Sequence, residues 1–144
     1  MSHVTLNTTV ENTFATAWGS TTPICYENIS CTPPVGSSWV KVYVREGDSQ
    51  KITIGKSPQT RRTLGTVFVD IFTPIGQGSK AVRTYADSIK TIFKDLRVSG
   101  IQFFEGDLQV WGERYYTNSG TGVPATSQWY QGTVAIPFKY DVVS

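Results

Sequence analysis

The residues of this chain that could perform chemistry are few, and a histidine base is the scarcest of them. His3 is the single histidine among 144 residues, and it stands close to the start of the chain. Because a serine or cysteine nucleophile needs a base held beside it, the sequence offers no plausible Ser-His or Cys-His pair. It also contains neither a Walker phosphate loop nor a G-x-G-x-x-G fingerprint. These residue types indicate a protein that is not an enzyme.

Paired carboxylates are the remaining catalytic candidates. Glu105 and Asp107 flank a glycine, and Glu113 follows on the same segment. Glu-Gly-Asp is typical of a β-turn, in which acidic side chains bond to the local backbone. Gly76 and Gly78 precede a predicted helix whose N-terminus could bind an anion, although glycines at such a position more often form a simple turn. We therefore predict no catalytic residue.

The two cysteines, Cys25 and Cys31, are six residues apart. On one extended strand their Cα atoms would be roughly 20 Å apart, which is beyond the reach of a disulfide. A turn at Glu27 and Asn28 could bring them together, so the spacing disfavours a disulfide without excluding it. Two thiols and one terminal histidine do not make a zinc site. The sequence predicts neither a metal nor another cofactor.

Composition favours one small globular domain spanning residues 1–144. Apolar residues make up 39% of the chain and aromatic residues 12%, which suffices for a core and leaves aromatic side chains for contacts with other chains. A formal net charge of +2 is too small to predict nucleic-acid or membrane binding by itself. No apolar run is long enough to span a bilayer. Residues 1–7 lack the pattern of a signal peptide, so we expect folding in the cytoplasm.

Two helices are predicted from apolar periodicity. The first covers residues 8–18, where Val10, Phe14 and Trp18 share one face. Thr8 and Glu11 fit a capping box at its start, which would leave His3 in a loose terminus. The second helix covers residues 80–96 and has the clearest periodicity, with one apolar face and one charged face.

Strands are predicted at residues 24–29, 39–45, 63–73, 100–104, 107–116 and 128–140. In the second of them Val40, Val42 and Val44 form the face expected to enter the core. Strand 63–73 is apolar on both faces, which indicates a central strand covered on both sides. Pro137 cannot donate to a ladder, so the last strand is expected to be an edge or to end there. The order α-β-β-arm-β-α-β-β predicts an α+β fold with a mainly antiparallel sheet.

The segment 46–62, called the arm below, is long and polar for a connection within a compact domain. Its basic residues could contact DNA phosphates or an acidic partner, or could simply keep a loop soluble. Two isoleucines at strand spacing are costly on a solvated loop and suit a hairpin that packs on a neighbouring subunit. The arm residues that could lie at a subunit interface or face DNA are Lys51, Ile52, Ile54, Lys56, Arg61 and Arg62.

Asp70, Trp111 and Tyr115 complete the set of candidate contact residues. Asp70 lies in mid-strand between two phenylalanines, where it could serve a subunit contact or pair with a nearby cation. Trp111 and Tyr115, with Trp39 and Trp129, could stack on sugars as a carbohydrate-binding platform. The same aromatic residues could instead cover the second face of the sheet or fill a subunit interface, which we favour.

Several stretches together resemble one known family. They are Phe14-Ala-Thr-Ala-Trp18, Tyr26-Glu-Asn28, Thr32-Pro-Pro34, Trp39-Val-Lys-Val-Tyr-Val44, the run from Arg62 through Val69-Asp-Ile-Phe-Thr-Pro-Ile-Gly-Gln-Gly78, Ala86-Asp87 and Val134-Ala-Ile-Pro-Phe-Lys-Tyr140. In these the chain resembles small phage proteins described as tail-terminator-like, related in fold to the tail terminator of lambda-type siphophages. The resemblance covers nearly the whole chain and carries no catalytic signature.

The resemblance implies a structural virion protein at the head-proximal end of the tail. Such a protein would form a homohexameric ring that caps the tail tube, ends its polymerisation and presents a surface to the head-completion proteins at the neck. Genome DNA would pass through the central hole without sequence-specific binding. A ring joins unlike patches of neighbouring copies, and the arm and the edge of the last strand are the expected halves of that contact. Another neck connector protein is the alternative in the same class.

Overall fold

The computed structural model describes residues 3–32, 34, 36–54, 59–76, 78–115 and 128–143. It confirms an α+β fold with two helices and a mainly antiparallel sheet among these residues. The helices are α1 (His3–Trp18) and α2 (Lys80–Phe93), and the strands are β1 (Ile24–Tyr26), β2 (Trp39–Lys51), β3 (Thr60–Pro74), β4 (Arg97–Val98), β5 (Ile101–Phe103), β6 (Asp107–Tyr115) and β7 (Gln128–Val143).

All seven of these strands join one sheet, in the order β1-β2-β3-β7-β5-β4, with β6 also paired to β7. Among the described strands, only β1 and β2 run parallel to each other. The three long strands β2, β3 and β7 are antiparallel neighbours, and β3 pairs with β7 over its full length, from Thr60↔Val143 to Pro74↔Trp129. This three-strand ribbon is the frame on which the rest of the chain is built.

Both helices pack on one face of the ribbon. The alternation in β2 and β3 sends Val40, Val42, Val67, Val69 and Ile71 into the core, where all five are fully buried. The valine face predicted for β2 is therefore confirmed at its first two positions, and Val44 is partly buried. From the helices the core receives Leu6, Val10, Phe14, Trp18, Val82, Ala86, Ile89 and Phe93.

The first helix begins earlier than its capping signal predicted. It starts at His3, so Thr8 and Glu11 lie in its middle and the predicted capping box is wrong. Glu11 instead accepts a hydrogen bond from the Asn7 side chain, at 3.2 Å. His3 is not loose either, because its Nδ1 lies 2.6 Å from Glu46 Oε2 at the base of the arm. Burial of Leu6 explains the extension, since it adds a turn to the apolar face.

The last strand is neither an edge nor ended by its proline. β7 continues to Val143 and has partners on both sides, which corrects the edge prediction. Pro137 pairs with Thr66 on β3, and its carbonyl accepts the Phe104 amide at 2.9 Å. A residue's N–H and C=O point to the same side of a strand, so the missing N–H faces the corner where β5 gives way to β6. The ladder loses little there, and the strand tolerates the proline.

The two cysteines form a disulfide, against the expectation from their spacing. β1 ends at Tyr26, and the chain then turns through Asn28, whose φ of 57° is left-handed. Asparagine tolerates this conformation better than most residues. The turn brings the Cα atoms of Cys25 and Cys31 to 5.8 Å, well within the usual range for a disulfide. The turn that the sequence allowed as an exception is therefore the observed one.

The arm is largely a continuation of the sheet. The segment was predicted as a long loop or hairpin arm, and β2 runs on to Lys51 while β3 starts at Thr60, so much of it is a hairpin ladder. A bulge interrupts the register between Glu46 and Ser49. Beyond it the Ile52 amide donates to the Thr60 carbonyl at 2.9 Å. Lys56 lies outside the described residues.

Candidate subunit interface

The face of the sheet opposite the helices is called the open face here. It carries Tyr43 on β2, Phe68 and Asp70 on β3, and Thr133 on β7, and no described helix covers it. The double-sided apolar pattern of β3 predicted cover on both sides. The helix side is covered by α1 and α2, and on the open face the described residues form a buried cluster at one end.

A small second core closes that end. Trp39 and Phe72 stack at 4.1 Å between ring centroids, and Trp129 meets Trp39 edge-on at 6.0 Å. Cys25 is buried with them and Cys31 packs against them. Trp39 and Trp129 are at most 2% exposed, so they cover the second face of the sheet as we favoured. They cannot form an exposed platform for sugars, which removes most of the support for a carbohydrate-binding module.

A polar chain of hydrogen bonds occupies the centre of the open face. The Trp111 Nε1 donates to Thr133 Oγ1 at 2.8 Å, and the Thr133 hydroxyl donates to Asp70 Oδ1 at 2.6 Å. Trp111 reaches this position because β6 is irregular between Val110 and Gly112. Thr133 thus links a half-exposed indole to a carboxylate in the middle of the sheet.

Asp70 is partly buried, and this burial is the main influence on its ionisation. Burial raises the pKa of its carboxyl, and the Thr133 hydrogen bond and the charge of Lys41 offset only part of that rise. The pKa of the Tyr43 hydroxyl is also raised, by burial and then by the nearby Asp70 charge. Lys41 stands directly across from Asp70 on β2. The surroundings of Asp70 therefore disfavour its negatively charged form.

Replacing Asp70 with asparagine is expected to change how stability depends on pH. A carboxyl whose pKa is higher in the folded state stabilises the fold when protonated and loses that contribution as pH rises above its unfolded value of about 3.9. Asp70→Asn should therefore raise the melting temperature relative to the parent protein more at pH 7 than at pH 4. Thermal unfolding followed by circular dichroism at both pH values measures this difference.

Asp141 provides a control for that measurement, because the pKa of its carboxyl is shifted in the opposite direction to that of Asp70. The hydrogen bond from Arg62 lowers the pKa of the Asp141 carboxyl, so its contribution is present near neutral pH and lost on acidification. Asp141→Asn should lower the melting temperature at pH 7 and have less effect as pH falls. A difference for Asp70→Asn that is equal at pH 4 and pH 7 would contradict the proposed desolvation of its carboxylate.

An apolar groove of about 570 Å³ crosses the open face beside this polar centre. Its apolar walls are Leu64, Phe68, Phe104 and Pro137, and its rim at the base of the arm is formed by Arg45, Glu46 and Gly47. Leu64 is 50% exposed and Phe104 is 38% exposed, values that suit a covered surface better than a solvated one. The sequence did not predict this groove, although it showed that strand 63–73 is apolar on both faces.

The candidate residues of the arm have separate surroundings. Ile52 and Ile54 are 43% and 105% exposed. Lys51 and Arg61 are exposed and stand directly opposite each other in the ladder. Arg62 instead forms a two-point ion pair with Asp141, at 2.9 and 3.2 Å, which occupies its guanidinium. The side chain of Tyr115 lies outside the described residues.

Within the described ranges no three His, Cys, Asp or Glu side chains cluster as a metal site would require. None of the helices in that part of the chain combines the length and apolarity needed to cross a bilayer. Glu105 and Asp107 lie at the exposed corner where β5 gives way to β6, and Asp107 begins β6.

Comparison with known proteins assigns the family. The model of a family described as phage tail terminator protein matches residues 5–138. The chain belongs to this family. The match includes both helices and nearly all of the sheet, from α1 to the middle of β7. Membership gives the chain a structural role in the phage tail, and the family is one of structural proteins, not of enzymes. It confirms the resemblance seen in the sequence.

The fold also recurs in solved structures. One of them aligns with a TM-score of 0.51 over 95% of this chain and 94% of its own, at 18% sequence identity. At that identity the likeness extends to the fold alone. No curated protein matches the chain significantly. The family match therefore identifies the tail role, while the geometry of the open face and the arm locates the surfaces that could serve it.

Proposed function

We propose that this protein caps the phage tail tube as a homohexameric ring. The cap ends tube polymerisation and provides the surface on which head-completion proteins join the tail at the neck. The protein then resides in the virion at the head-proximal end of the tail, after assembly in the host cytoplasm. Family membership supports the tail role, and the ring, its copy number and its neighbours are our inference.

The observation that carries the proposal is the pair of unlike apolar surfaces on one chain. The open face leaves Leu64, Phe104 and Trp111 between 38% and 50% exposed, and the arm leaves Ile52 and Ile54 exposed at the far end of the ribbon. Two different patches on the same chain are what a head-to-tail contact needs, and such contacts close into rings when the rotation between copies permits. A protein that functions as a monomer would have no use for two exposed apolar surfaces.

The basic residues of the arm suit a place at the lumen or at a neighbour. Arg62 is paired with Asp141, and Lys51 and Arg61 are the other exposed basic residues in the described part of the arm. Two cations per copy around a ring would give DNA a favourable electrostatic path without reading its sequence.

A tube-growth assay tests the capping role. Tail tube protein of the same phage is polymerised with and without this protein, and tube lengths are measured by negative-stain electron microscopy. We expect shorter tubes, additional density at one end, and no further growth when fresh tube protein is added. Unchanged lengths with bare ends would refute capping. Density on isolated heads instead of on tubes would favour a neck connector.

A further inference from the structure

We propose that the arm tip of one copy (residues 52–54) seats in the apolar groove of the next copy (Leu64, Phe68, Phe104 and Pro137). This inference rests on the proposed ring and names the two surfaces that hold it together. It assigns the groove a single occupant, the Ile-Thr-Ile segment of a second molecule of this chain.

The arm cannot fill the groove of its own chain. The groove crosses the sheet at the level of Gly65, which pairs with Glu46 on one side and Phe138 on the other. From there the ladder continues outward through Lys51↔Arg61, and β7 supports it as far as Val143. Ile52 lies five residues beyond Gly47, roughly 16 Å along an extended strand. Because β3 is paired on both sides, the ribbon is held in line with the sheet and points away from the groove.

The apolar character of the two surfaces matches. Ile52 and Ile54 are exposed at the tip, and the groove is lined mainly by leucine, phenylalanine and proline side chains. Burying apolar side chains that are otherwise wet stabilises a contact by roughly 25 cal/mol per Å². The groove volume of about 570 Å³ accommodates side chains of this size.

The charges of the two surfaces are also complementary. Lys51 and Arg61 stand opposite each other beside the tip, which makes this end of the arm basic. The groove ends at Phe104, and Glu105 and Asp107 follow it at an exposed corner. At the other end the Arg45 guanidinium is held by Glu27 at 2.8 Å, and the Glu46 carboxylate is occupied by His3 and Tyr140. Lys139, 5.9 Å from the Phe104 ring, is the nearby opposing cation. A basic tip thus meets a groove with an acidic corner at one end.

Complementary single variants test the contact. Ile54→Asp damages the tip and leaves the groove intact, whereas Leu64→Asp damages the groove and leaves the tip intact. Size-exclusion chromatography with light scattering gives the oligomeric state of each. We expect the parent protein to assemble, each variant alone to be monomeric, and an equimolar mixture to form a one-to-one dimer. The dimer follows because the mixture retains one intact tip and one intact groove per pair.

Ile29→Asp is the matched control, because Ile29 is 62% exposed and lies outside both surfaces. It should assemble like the parent protein. A paired Glu105→Lys and Asp107→Lys variant should weaken assembly at low salt and lose most of that effect at high salt. Circular dichroism and melting temperature within a few degrees of the parent protein establish that the variants fold.

The outcomes separate this contact from the capping role. Assembly of Ile54→Asp or Leu64→Asp like the parent protein, or a mixture that stays monomeric, overturns the contact. A parent protein that is monomeric at every concentration overturns it as well. If Ile54→Asp still assembles and still stops tube growth, the ring capping proposal stands and only the arm-in-groove contact is wrong.

Discussion

Phe103→Ala is expected to destabilise the fold by about 3–5 kcal/mol, the usual cost of emptying a buried phenylalanine site. Phe103 is fully buried on β5, between Phe93 of α2 at 5.0 Å and Phe138 of β7 at 6.0 Å between ring centroids. Removing its ring leaves a cavity at the point where the second helix meets the sheet. Total stabilities of domains this size are about 5–15 kcal/mol, so this one substitution threatens folding at 37 °C.

Phe104→Ala is the natural comparison, because the neighbouring residue has the same side chain in a different setting. Phe104 is 38% exposed at the end of the apolar groove. Its alanine variant should lose far less stability, since its ring already contacts water. Urea unfolding followed by tryptophan fluorescence gives the free energy of unfolding for both variants. Equal losses of unfolding free energy would show that the buried Phe103 ring stabilises the fold no more than the partly exposed Phe104 ring does.

The sequence was most informative where one physical signal dominated. Periodicity located both helices and most strands, because the alternation of Val40 and Val42 or the spacing of Val10 and Phe14 reflects burial on one face. It was less reliable at the ends of elements, where tertiary contacts decide. Leu6 extends the first helix by packing, and no local cap could show this.

Other errors came from applying a local sequence rule without knowing which residues lie nearby in the folded chain. Pro137 reads as an edge residue, yet its missing donor faces a corner between two strands and costs the ladder little. The spacing of the two cysteines disfavoured a bond only if the segment stayed extended, and Asn28 turns it. For Pro137 the decisive contact is with Phe104, a residue distant in sequence. For the cysteines it is the left-handed backbone conformation of Asn28.

Part of the candidate interface is visible in the sequence. The spacing and polar surroundings of Ile52 and Ile54 predicted isoleucines outside the core, and both side chains are exposed. The groove required knowledge that β5 turns into β6 beside Pro137, which places Phe104 next to Leu64. Contacts between residues this far apart along the chain depend on strand order, and strand order was not apparent from a single sequence.

Gly132→Ala is expected to lower the free energy of unfolding by about 1–3 kcal/mol, because the added methyl group has no room in the packed core. A Cβ at Gly132 would lie 2.5 Å from Val82 Cγ1 on α2 and 3.3 Å from Leu108 Cδ1 on β6. Val82 is fully buried, so it has little room to move aside. The second helix rests on β7 at this point, and an added methyl group would push it off the sheet.

The partner of that clash can be removed, which makes the prediction sharp. Val82→Ala deletes the opposing methyl groups and should itself destabilise the fold by leaving a cavity. In the double variant the new methyl at position 132 occupies part of that cavity. The double variant should therefore lose clearly less free energy of unfolding than the two single variants together, a coupling that urea titrations of all four proteins measure. Strictly additive losses of unfolding free energy would show that Gly132 is required for its backbone conformation and not for the close approach of α2 to the sheet.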